Sequence, residues 1–122
     1  MSSGYGICSG DGYYRSEKGA SVHRNKLSLY CLKPGAKHSD DFFGIGYGAD
    51  SERELFCDME KEFDLSKKED RQIVPGGQER FSTPMKLGVD RKRSFRTVWM
   101  NDGPDGSARF ITAYIDRRLE RG

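Results

Sequence analysis

The sequence predicts an α+β domain in which N-terminal helices pack on a three- to four-stranded antiparallel sheet. Apolar residues recur at four-residue spacing before residue 64 and at period two after residue 80. A dense turn signal at 101–106 then separates two apolar runs, the pattern of a hairpin. Helices first and antiparallel strands after them is an α+β order.

Residues 1–25 are rich in Gly, Ser and Tyr, with Gly4, Gly6, Gly10, Gly12 and Gly19 interrupting any period. They predict a flexible leader ahead of a single domain over residues 26–122. Its tyrosines could stack on bases, but a loosely packed arm accounts for them as well, and no site is placed there. Lys26 to Leu32 reads as a short strand or a helical turn, ended by the turn signal Pro34-Gly35. Ser39 to Ile45 reads as a short helix that Ser39 and its aspartates cap and that buries Phe42, Phe43 and Ile45. From Ser51 to Asp64 the spacing predicts a longer helix, with Ser51 and Glu54 as a capping box and Leu55, Met59 and Phe63 on one face, widened by Phe56. The strands follow: Gln72 to Val74, the alternating run Phe81, Thr83, Met85, Leu87 and Val89, then Ser94 to Met100 and Ala108 to Ile115. Pro84 marks its strand as an edge or a bulge.

One domain fits the length of 122 residues. The net charge is only +2, yet it is unevenly spread: residues 50–70 lean acidic, whereas residues 71–122 carry eleven Arg and Lys. A basic half suits an anionic partner. Cys8, Cys31 and Cys57 have neither a C-x-x-C spacing nor clustered histidines near them, so reduced structural thiols are expected, without a zinc site. No apolar run is long enough for a membrane span and no signal-peptide pattern opens the chain, which points to the cytoplasm and away from a membrane partner. The glycines at 44–48 and 76–77 do not match a phosphate loop or a dinucleotide fingerprint, and no cofactor or metal is expected.

Of the two histidines, His38 has the more informative setting, beside Lys37 and directly before a short helix whose free amides can face a phosphate. A surface histidine near a cap fits the same residues. His23 lies in a segment with no period to aim it. The second cluster is Arg91-Lys92-Arg93-Ser94-Phe95-Arg96-Thr97-Val98-Trp99, cations interleaved with aromatic rings, which suits phosphates and stacked bases. Arg96 can bind a phosphate or a developing oxyanion through two bonds, with a hydroxyl from Thr97 or Thr112 adding a third. Tyr114 falls on the neighbouring strand. A basic solvated edge with Trp99 and Phe110 in the core explains the cluster equally well.

The run Lys37-His38-Ser39-Asp40-Asp41-Phe42-Phe43-Gly44-Ile45 resembles the segment of colicin D nuclease domains that reads Lys-His, two residues, then Asp-Phe-Gly-Ile, with one residue inserted. Arg96 to Trp99 and Phe110 to Tyr114 resemble strands of related contact-dependent polymorphic toxins of the barnase, EndoU, colicin and RelE-like superfamily. The resemblance implies that superfamily's fold and a metal-independent endoribonuclease toxin acting on tRNA or another structured RNA, with attack by a ribose 2′-hydroxyl giving a 2′,3′-cyclic phosphate. It implies His38, Lys37, Arg96 and Thr112 as catalytic residues and Arg91, Arg93, Thr97, Trp99 and Tyr114 as RNA contacts. An immunity protein or antitoxin is the partner such toxins imply. The alternative is a non-catalytic inhibitor that binds RNA or protein, of phage type or like an antitoxin or immunity protein, using the basic strand or the acidic helix.

Overall fold

The glycines near the start of the chain act as punctuation for strands. In a computed structural model that describes residues 8–103 and 106–121, Gly12 and Gly19 hold φ at 89° and 96°, left-handed values open to a residue without a Cβ. Each closes a turn, Gly12 N–H donating to Ser9 O and Gly19 N–H to Ser16 O. These turns flank the antiparallel strands β1 (Tyr13–Arg15) and β2 (Ala20–His23). Tyr14, Ala20 and Val22 are buried. The stretch expected as a flexible leader is thus part of the domain from residue 8 onward, and residues 1–7 of that expectation lie outside the described residues.

After β2 come α1 (Arg24–Lys26), a π-helical turn (Leu27–Cys31), α2 (Ser39–Phe43) and α3 (Glu52–Glu62). Then follow β3 (Glu69–Ile73), β4 (Glu79–Leu87), β5 (Arg93–Met100), β6 (Ala108–Ile115) and the terminal α4 (Arg117–Arg121). The strand order is β1-β2-β6-β5-β4-β3, with β2 parallel to β6 and the other pairs antiparallel. This corrects the expected α+β stack of N-terminal helices on a three- to four-stranded antiparallel sheet. The chain forms one mixed sheet of six strands, curled into a half-barrel, with few and short helices. The cause is the N-terminal hairpin, which adds two strands by laying Ala20 and Ser21 against Ala108 and Arg109.

The longest of the described helices, α3, buries Leu55, Phe56 and Met59, with Phe63 just beyond its end, on the face that the spacing predicts. Its start differs. Ser51 accepts a hydrogen bond from Gly48 N–H at 2.8 Å and makes no side-chain cap. With φ −87° and ψ 24°, Ser51 is not in the extended geometry that aims a capping hydroxyl at the first turn, so the capping box is absent. The core lies between this helix and one face of the sheet. Phe81, Thr83, Met85 and Leu87 of β4 face it beside Phe95, Thr97 and Trp99 of β5, and Phe42 of α2 stacks on Phe95 at 5.0 Å. Val89 falls beyond β4 and is exposed. Pro84 fits an interior strand because β3 pairs with β4 only as far as Ser82, leaving its ring no neighbour to disrupt. Lys86 N–H, on that same uncovered edge, is taken by Glu62 Oε1 at 2.9 Å.

A β-bulge in β6 decides what the other face of the sheet carries. Val98 pairs with Thr112 and Trp99 with Phe110, so Ile111 is an extra residue. In an unbroken strand Phe110, Thr112 and Tyr114 would share one face. The bulge leaves Phe110 in the core against Trp99, at 5.4 Å between ring centroids, and turns Thr112 and Tyr114 to the open face. No helix among the described residues is long and apolar enough to cross a membrane.

Candidate functional site

The open face of the sheet is crossed by Arg96 of β5, Thr112 and Tyr114 of β6, and Ser82 of β4. Because β2 pairs with β6 only at Ala20–Ala108 and Ser21–Arg109, the rest of that edge of β6 is uncovered by strand. The helical segments cover it with side chains: Lys26 Nζ donates to Ile111 O at 3.1 Å, and Ile115 N–H donates to Asp41 Oδ2 at 3.3 Å. These two contacts bring the π-helical turn and α2 to the edge of β6, and with them Tyr30 and His38 to the rim of the open face.

His38 is the N-cap residue of α2 and its side chain is about one-quarter exposed (26%). Its ring centroid lies 5.9 Å from that of Tyr114, and Nδ1 lies 3.9 Å from the Asp41 oxygen that Ile115 N–H holds. Thr112 Oγ1 shares a 2.8 Å hydrogen bond with the hydroxyl of Tyr30. Lys26 Nζ sits 5.1 Å from the Tyr30 ring centroid, a cation over an aromatic face. The residues gathered on this rim are therefore an imidazole with a carboxylate behind it, two phenols, a threonine hydroxyl and an ammonium group. Lys37, adjacent to His38 in sequence, is exposed. Among the described residues no three His, Cys, Asp or Glu side chains form a cluster suited to a metal ion.

Several residues expected to touch RNA are instead committed to the fold. Arg96 lies under the open face with its side chain only 10% exposed. Its Nε donates to Asp116 Oδ2 at 2.8 Å, and its Nη1 donates to Glu69 at 2.6 Å and to Ser82 at 2.9 Å. Asp70, the one described non-glycine residue with a positive φ (52°), adds a further contact at 3.3 Å. Burial works against the Arg96 charge, and its bonds to Asp116 and Glu69 outweigh that effect, holding the guanidinium above its ordinary value. In turn the bond from Arg96 holds the Asp116 carboxyl down at about 2. With Nε and Nη1 committed to Asp116, Glu69 and Ser82, the two-nitrogen grip on a phosphate through Nε is already taken within the fold.

Thr97 and Trp99 are corrected too. Both are fully buried: Trp99 packs edge-on to Phe63 at 4.7 Å and its indole N–H donates to Thr97 Oγ1 at 2.8 Å. The Thr97 hydroxyl also meets that of Thr83 at 2.8 Å. Alternation along β5 is the reason, since Phe95, Thr97 and Trp99 share the core face while Arg96 takes the other. Arg93 pairs with Glu120 through two nitrogens, whereas Arg91 is exposed on the β4–β5 loop. Of the expected site, His38, Thr112 and Tyr114 converge, Lys37 and Arg91 stand exposed, and Arg93, Arg96, Thr97 and Trp99 have structural partners.

Tyr30, Asp41 and Lys26 belong to the cluster and carry no local motif that singles them out. The bulge at Ile111 has one sequence mark, the adjacent apolar pair Phe110-Ile111, where the alternation of β6 shifts phase from Ala108 and Phe110 to Ala113 and Ile115. Comparison with family models, with curated proteins and with solved structures finds no match for this chain.

Proposed function

We propose that the chain is a metal-independent endoribonuclease acting on an unpaired stretch of structured RNA such as a tRNA loop, in the cytoplasm of the cell it acts on. The observation that carries this reading is His38 set against Tyr114 on the rim of an open sheet face, with Asp41 behind the imidazole. In this reading His38 takes the proton of a ribose 2′-hydroxyl as that oxygen attacks the adjacent phosphorus. The 5′-oxygen leaves with a proton from the Tyr114 phenol, and His38, beside it, returns the proton to the phenol. The products are a 2′,3′-cyclic phosphate and a 5′-hydroxyl. Asp41 orients the imidazole, the Tyr30 and Thr112 hydroxyls donate to the phosphoryl oxygens, and Lys37 attracts the backbone from the rim. Arg96 acts at one remove, by holding β3, β4 and β6 in register beneath the site.

The test is incubation of the purified protein and its His38→Ala variant with total tRNA in EDTA, followed by end-group analysis. Wild type is expected to give discrete fragments ending in 2′,3′-cyclic phosphate. The variant should cleave about 100- to 10,000-fold more slowly, the usual contribution of a proton-transfer group. Equal cleavage by both proteins removes His38 from the mechanism. The commitment of Arg96 to Asp116 and Glu69 favours one second reading, a non-catalytic RNA-binding inhibitor, for which RNA bound but left intact by wild type is the signature.

A further inference from the structure

A second recess opens along the same sheet face, where β1, β2 and β6 meet, and encloses about 390 Å³. That volume falls within the roughly 300–1,000 Å³ of small-molecule sites. Tyr13, His23, Lys26, Tyr30 and Arg109 line it, and its lining residues include no carboxylate. This is notable in a chain with 19 Asp and Glu.

The walls are organised. Tyr13 and His23 meet edge-to-face at 4.9 Å, and His23 Nδ1 accepts the Asn25 N–H at 3.1 Å. The imidazole is seated against Gly12, where an added Cβ would come within 2.6 Å of Nε2. Arg109 is bound by two nitrogens to Asp102, at 2.7 and 3.0 Å, so its charge is answered. Lys26 differs: its bond is to the neutral carbonyl of Ile111, and an ammonium group has further protons to donate. Tyr30 joins the recess to the His38 cluster, since it lines the one while its hydroxyl meets Thr112 in the other.

We propose that this recess is a subsite for one unpaired nucleotide of a single-stranded RNA, with the base against Tyr13 and Tyr30 and the phosphate on Lys26. The assignment rests on the RNA-directed reading above and deepens it, naming what is recognised beside the scissile bond. Aromatic faces suit a base of any identity, and a cation with no opposing carboxylate suits the phosphate joined to it. A paired base hides its face, so the subsite selects an unpaired strand.

The experiment uses the full chain carrying His38→Ala, to keep RNA intact, titrated into a short single-stranded RNA containing 2-aminopurine, whose fluorescence falls on stacking. The parent is expected to bind with quenching. Tyr13→Ala should bind about 5- to 100-fold more weakly, the usual range for losing one base stack, whereas Tyr13→Phe should bind like the parent. Lys26→Gln should flatten the dependence of log affinity on log salt by about 0.7, one phosphate contact on a single strand. No binding, binding without quenching, or a Tyr13→Ala protein equal to the parent overturns the subsite. Failure of the nuclease reading shows separately, as intact tRNA after incubation with the wild-type chain, and this titration still gives its own answer.

Discussion

The two ends of the open sheet face treat charge in opposite ways. Toward β3, Arg96 is enclosed by Asp116, Glu69, Asp70 and Ser82, which take its Nε and Nη1 donors. Toward the free edge of β6, His38, Tyr114, Tyr30 and Lys26 hold one another through ring contacts and single hydrogen bonds, beside a recess without carboxylates. The first arrangement satisfies itself and fixes strand geometry. The second retains hydrogen-bonding capacity toward solvent, as a site must if it is to bind something. Formal charge is thus densest where it is already paired, and the proposed site lies instead at the end that keeps donors and acceptors unspent.

The largest expected effect comes from treating the core as though it were a binding surface. Trp99→Ala should lower stability by about 3–5 kcal/mol in urea unfolding, the usual cost of emptying a buried aromatic site. If Trp99 stacked on RNA, the variant would unfold like wild type and lose affinity alone. Next is Arg96→Met, which leaves the buried Asp116 with only the more distant, exposed Arg118 at 3.5 Å and should cost about 3 kcal/mol near neutral pH. The deficit should shrink in acid. The folded-state pKa of Asp116 is depressed to about 2 from 3.8, so the pair's stabilisation is complete above the ordinary value and is lost as pH falls through about 2. A gap between wild type and Arg96→Met that stays constant from neutral pH to pH 2 would contradict the assignment of Arg96 to the fold. The smallest effect is that of Tyr30→Phe, which removes the hydrogen bond to Thr112 and should cost about 1 kcal/mol. Its value lies in the contrast: a slower RNA cleavage out of proportion to that stability loss marks the hydroxyl as part of the site, and a loss in stability alone makes it a strut.

The legible parts of the fold were those that a single element announces. The stripe Leu55, Met59 and Phe63 needed only the turn of one helix, and the alternation from Phe81 to Leu87 only the pleat of one strand. His38, Thr112 and Tyr114 were legible as residue types, and His38 through its position before a helix. The N-terminal strands were hidden because their partner is remote: the Ser21 hydroxyl bonds to Ala108 O, 87 residues away. Gly12 and Gly19 look the same in a loose arm and in a hairpin until that partner is present.

By itself the sequence determined the strands β4 to β6, the buried stripe of α3 and a basic C-terminal half, because periodicity and composition are properties of contiguous residues. Only the tertiary structure decided that Arg96 is spent on carboxylates, that Trp99 is core, and that Tyr114 meets His38. Each of those outcomes depends on register between strands, and the last also on one extra residue at Ile111, which reverses the facing of Thr112 and Tyr114 and shows in the sequence only as the adjacent apolar pair Phe110-Ile111.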